Sequence, residues 1–146
     1  MFGCWVANFL NSLVEVNHVF LGLETRAIIN PSVLEVLGDG KQSKPYMYVH
    51  ELIQALLFIF ENATEKMNVF NIGPGDQTTV AQIAELVIEG YEAEQDISYT
   101  GGSQGWKGDV PKYEYDTQKL QDLGWGPPTS SLEAVKLAVK KIIETR

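Results

Sequence analysis

One cysteine, two histidines and eleven basic residues are all that this chain of 146 residues has of those types, and each scarcity removes a class of function. The lone thiol, Cys4, forms no internal disulfide and leaves no thiolate cluster for zinc, so a reducing cytoplasm is the expected setting and no metal site is expected. Nineteen acidic against eleven basic residues give a formal charge of −8, without the clustered Lys and Arg that neutralise a phosphate backbone. A general nucleic-acid binder is thereby excluded. The basic residues that do gather are Lys136, Lys140, Lys141 and Arg146, which suit the negative end of a helix dipole. His18 and His50 have no Ser and Asp partners and no metal-ligand spacing around them, so both read as solvated or capping side chains. No run approaches the roughly 20 apolar residues of a membrane span, so no membrane association is expected. Residues 1–14 are as apolar as a signal peptide but lack a basic start and are interrupted by Asn8 and Asn11. They are expected to serve as core or interface instead.

What is present is ordinary for a globular protein: 45% apolar residues and a length that permits one domain with a real core. The chain divides into an atypical apolar segment, 1–30, and a more readable region, 31–146. In the first, Phe2, Trp5, Val6, Phe9, Leu10 and Leu13 are spaced like one face of a helix. In the second, residues 32–37 read as a strand closed by the Gly38-Asp39-Gly40 turn, and 46–49 as another short strand. Residues 49–62 read as a helix whose apolar face holds Leu52, Ile53, Leu56, Leu57 and Phe60, widened by Phe58 and Ile59 until it expects cover on more than one side.

Residues 68–73 read as a short buried strand closed by a Gly-Pro-Gly breaker, of the kind found in a parallel sheet covered on both faces. Thr79 and Gln82 spell a capping box opening a helix to about Tyr91, with Val80, Ile83, Ala84, Val87 and Tyr91 inward. A strand over 96–100, a Gly-rich loop, and a short helix between an Asp116 cap and a Gly124 stop follow. Ser130 and Glu133 form a second capping box, opening a last helix with Leu132, Val135, Ala138, Val139 and Ile142 inward.

Two spacings imitate catalytic motifs. Gly102-x-x-Gly105-x-x-Gly108 has the spacing of a dinucleotide-binding turn, but Pro111 and Tyr113 follow where a helix should open, so the plainer reading is a loop. Tyr115-x-x-x-Lys119 has the spacing of an activated tyrosine, but Asp116 between them is a better helix cap and Leu120 and Leu123 are packing positions. Neither is expected to be catalytic.

The stretches 34–51, LEVLGDGKQSKPYMYVHE, and 99–125, YTGGSQGWKGDVPKYEYDTQKLQDLGW, resemble the C-terminal part of extended short-chain dehydrogenase/reductases. These are the NAD-dependent nucleotide-sugar epimerases and dehydratases, the UDP-glucose 4-epimerase group in particular. The resemblance implies an α/β fold, with incomplete Rossmann-like parallel strands joined to a small α/β substrate-binding domain. It places Lys44 where the family has an arginine facing the substrate diphosphate, here a point charge without bidentate geometry. Pro45 replaces the family's next aspartate, and Glu51 stands for the aspartate that opens the following helix. Asp109 matches the acidic residue that accepts from ribose hydroxyls, while Gln104, Trp106 and Lys107 occupy the loop where a phosphate-binding arginine is common. The implied substrate-binding set is Lys44, Trp106, Lys107 and Asp109, toward a UDP-sugar.

In the family, the glycine fingerprint, the ribose-selecting acid and the Ser/Thr with Tyr-x-x-x-Lys catalytic set all precede the equivalent of Pro31. Residues 1–30 cannot contain them, so no catalytic or cofactor-binding residue is expected in this chain. The NAD of the family would not be held by it alone. Two readings result: a truncated epimerase or dehydratase without activity of its own, or a non-catalytic nucleotide-sugar-binding or protein-interaction module. Both predict a homo-oligomer, because an uncovered strand and a broadly apolar helix leave surfaces that monomers avoid.

Overall fold

The computed structural model of the chain describes Leu23 and residues 32–106, 108–110 and 112–144. The expected helical face from Phe2 to Leu13 lies outside the described residues, as does Lys107. In order, the elements are β1 (Val33–Val36), β2 (Ser43–Lys44), α1 (Val49–Asn62), β3 (Thr78–Thr79), α2 (Val80–Gly90), β4 (Asp96–Tyr99), α3 (Gln118–Asp122) and α4 (Ser131–Glu144). β1 and β4 pair in parallel, Val33 opposite Asp96 and Val36 opposite Tyr99. β2 and β3 pair antiparallel, with Lys44 opposite Thr78.

The period of two in β1 sends Leu34 and Val36 into the core, where both are fully buried. Against them pack Ile83, Ala84 and Val87 of α2, and Val135 and Val139 of α4, with Tyr46 and Leu23 completing the cluster. Burial of each large aliphatic here is worth roughly 1.5–3 kcal/mol. Both capping boxes form. Gln82 N–H donates to Thr79 Oγ1 at 3.2 Å while Thr79 N–H donates to Gln82 Oε1 at 2.9 Å. Ser130 and Glu133 repeat the exchange at the start of α4. Two further α2 donors, Val80 N–H and Ala81 N–H, are taken by the carbonyls of Gln42 and Gly40, which fixes the 38–42 turn to the helix.

A buried polar hub at Ser131 joins three segments. Its Oγ accepts from Tyr46 N–H at 3.0 Å and from Thr78 Oγ1 at 2.8 Å, and its N–H donates to Asp76 Oδ1 at 2.9 Å. An acid at a helix N-terminus is well placed there.

Three expectations are corrected. Residues 68–73 form no ladder with any described residue, and Val69 is 63% exposed. The segment is held by side chains instead, with Phe70 under Lys119 Nζ at 4.7 Å and Asn71 Nδ2 donating to the Asp116 carbonyl at 2.8 Å. The second short strand is Ser43–Lys44 rather than 46–49, because Pro45 has no N–H to donate and Tyr46 N–H is spent on Ser131. On α1 the inward line is Leu52, Ala55 and Ile59, whereas Ile53, Leu57 and Phe60, expected on the same face as Leu52, are exposed.

Candidate functional site

The site is assembled where the end of β1 meets the end of β4. Gly38 turns the chain with φ +86°, and a Cβ there would lie 1.9 Å from Gln42 Nε2, so only glycine fits this approach. Gly38 N–H donates to Thr100 Oγ1 at 2.9 Å, and Gly101 N–H donates back to the Gly38 carbonyl at 2.9 Å. The glycine-rich loop after β4 is therefore tied at its start to the turn that precedes β2. At its far end, Ser43 bridges Lys112, and Gln77 links the two, accepting from Ser43 Oγ and donating to the Tyr113 carbonyl.

Between these anchors the loop folds back over β2 and carries Asp109 to Lys44. Their charged atoms, Asp109 Oδ1 and Lys44 Nζ, stand 3.0 Å apart, with the two side chains 2% and 4% exposed. Asp109 Oδ2 accepts from Gly105 N–H at 3.1 Å, and Gln104 Nε2 donates to the Asp109 carbonyl at 3.0 Å, so this one acid organises its own loop. Oδ1 accepts no aligned hydrogen bond, which leaves Coulomb attraction rather than directional bonding to hold the pair. Lys44 Nζ also lies 4.9 Å from the ring centroid of Trp106, a cation–π contact that closes the outer side of the ammonium.

Three of the four residues expected to bind substrate, Lys44, Trp106 and Asp109, are thus brought together, and the fourth, Lys107, lies outside the described residues. Gln42, buried beside the pair with its Nε2 donating to the Leu37 carbonyl at 3.2 Å, was not singled out by sequence reasoning. Only its place two residues before Lys44, behind a tight turn, could have flagged it. Glu51 is buried at the start of α1 and accepts from Thr129 Oγ1 at 2.6 Å, a contact between the helix and a distant loop that spacing does not reveal.

The two imitations of catalytic motifs behave as packing. The residues described from Gly108 to Thr117 include no helix, α3 opens only at Gln118, and so no dinucleotide turn forms on Gly102, Gly105 and Gly108. Tyr115 packs on Gly73 and edge-on against Tyr113, while Lys119 covers Phe70. His50 is exposed and stacks on Tyr48 at 5.3 Å. Among the described residues no group of His, Cys, Asp and Glu could hold a metal ion. The arrangement is a buried lysine–aspartate pair beneath a half-exposed indole.

Residues 13–73 match the NAD dependent epimerase/dehydratase family. The chain belongs to this family. UDP-glucuronic acid decarboxylase 2 of Arabidopsis thaliana is 30% identical over 108 residues, which are 73% of this chain and 23% of that protein. A solved UDP-galactose 4-epimerase superposes with a TM-score of 0.71 at 29% identity, covering 87% of this chain and 40% of that one. The UDP-glucose 4-epimerase of Thermotoga maritima, solved with UDP-glucose, gives a TM-score of 0.66 at 32% identity over 84% of this chain and 38% of that one. The family fold is α/β with parallel strands, Rossmann-like, as in those epimerases. This epimerase/dehydratase chain spans about a quarter of the curated relative's length and about two fifths of the solved chains. Among the described residues no glycine turn opens a helix in the way a dinucleotide such as the family's NAD requires.

Proposed function

We propose that this chain carries the sugar-nucleotide-binding half of an NAD-dependent epimerase or dehydratase and has no turnover by itself. In this reading residues 31–146 form the substrate region, and Lys44 meets the diphosphate of a UDP-sugar as a point charge. Asp109 accepts from the ribose hydroxyls, Trp106 borders the same ligand, and Lys107 belongs to the substrate-binding set that the resemblance implies. NAD and the catalytic tyrosine belong to a separate dinucleotide-binding half. The observation that carries the reading is the convergence of Lys44, Trp106 and Asp109, from β2 and a distant loop, within 4.9 Å of one ammonium. A cytoplasmic setting accords with the single cysteine.

Self-association is part of the proposal. Val49, Ile53, Leu57 and Phe60 follow helical spacing along the outer side of α1, and Phe60 is 86% exposed. Met67 and Val69, in the segment after α1, are exposed as well, and exposed apolar surface marks interfaces. The same stripe favours the second reading, a non-catalytic interaction module. The test is calorimetric titration with UDP-glucose together with an assay for NAD-dependent conversion of it. Heat without conversion supports the binding half; conversion by the purified chain refutes the inactivity; no heat from the folded chain leaves the interaction module.

A further inference from the structure

Resting on the sugar-nucleotide reading, the geometry points to a latch: Asp109 and Trp106 hold the Lys44 charge shut, and an entering diphosphate must lift the loop to reach it. An ammonium whose side chain is 4% exposed, paired at 3.0 Å and covered by an indole, has no face open to an anion. The pair is neutral as a unit, and the chain around it carries a formal charge of −8, so nothing draws a diphosphate while the loop is down.

The same geometry makes the latch easy to lift. Two buried charges repay their desolvation only when their hydrogen bonding is well aligned, and Asp109 Oδ1 makes no aligned bond. Gln42 Oε1 is buried beside the loop and accepts no hydrogen bond from the described residues, so the closed arrangement leaves a polar atom unsatisfied. The loop also has pivots: Gly101, Gly102 and Gly108 have φ of +84°, +85° and +91°, and the space where a Cβ would stand is empty at all three. Trp106, 47% exposed, is the part of the closure that a ligand meets first.

Inorganic pyrophosphate separates this latch from a simple ribose contact, because it offers the diphosphate charge and no ribose. Titration calorimetry of the whole chain, of Trp106→Ala and of Asp109→Asn, each checked for folding by circular dichroism, decides it. The expected result is pyrophosphate binding tightened about tenfold or more in each variant relative to the wild type. Trp106→Ala keeps the ion pair, so it reports even where Asp109→Asn fails to fold. Unchanged or weaker pyrophosphate binding in Trp106→Ala overturns the latch, and leaves the sugar-nucleotide reading in place if the wild type still binds UDP. Absence of heat from both ligands in every folded protein overturns both.

Discussion

Removing Asp109 alone strands a positive charge in the interior, and the structure sets the size of the loss. In Asp109→Leu the Lys44 ammonium, with its side chain 4% exposed, loses the carboxylate 3.0 Å away, and Gly105 N–H loses its acceptor. Breaking one side of a buried ion pair costs about 3–5 kcal/mol. Removing both charges is a different operation: Lys44→Met with Asp109→Leu leaves no charge to desolvate, and such replacements are neutral or stabilising by about 1–4 kcal/mol. The double variant should therefore regain most of what the single one loses. Urea unfolding followed by circular dichroism reads this directly, since a loss of about 4 kcal/mol with a slope of about 2 kcal/mol per molar moves the midpoint down by about 2 M. A single variant costing under about 1 kcal/mol would refute the buried pair, and so would a double variant no more stable than the single one.

Ser131→Ala nearly keeps the volume of the α4 hub but strands Tyr46 N–H and the Thr78 hydroxyl, and should lower stability by about 1–3 kcal/mol in the same urea assay. The backbone and side-chain hydrogen bonds of Ser130 hold the Glu133 carboxyl below its ordinary value of 4.5, so its capping contribution is full above that pH and fades as the pH falls through the lowered value. Glu133→Gln should flatten that acid-side dependence of the melting temperature and slightly lower the melting temperature at pH 7, where the carboxylate's contribution is full. Leu57→Ser with Phe60→Ser should abolish self-association in sedimentation velocity without lowering the melting temperature, because both side chains are exposed on α1.

Local signals were the legible ones. The capping boxes at Thr79 and Ser130 were readable because four neighbouring residues contain the whole interaction, and α1 occupies Val49–Asn62 as its periodicity predicts. The parallel pairing of β1 with β4 was not written in either strand, since partners as far apart in the chain as Val33 and Asp96 are brought together by the packing of α2 and α4 against them. Residues 68–73 have strand composition, yet composition does not supply a neighbour, and Val69 remains in solvent. The α1 error has a similar cause: with apolar residues on most sides, the sequence cannot say which side turns inward, and Leu52, Ala55 and Ile59 do. Resemblance named Lys44 and Asp109 separately. That they neutralise each other follows only from the loop fold organised by Gly105 and Gln104.

The central claim is that Lys44 is the group through which this chain holds a sugar nucleotide. Calorimetric titration of UDP into the wild-type chain and into Lys44→Gln, both shown to be folded, tests it most directly. The account predicts saturable heat from the wild type and none from Lys44→Gln over the same concentrations; equal heats from the two proteins, or none from the folded wild type, contradict it.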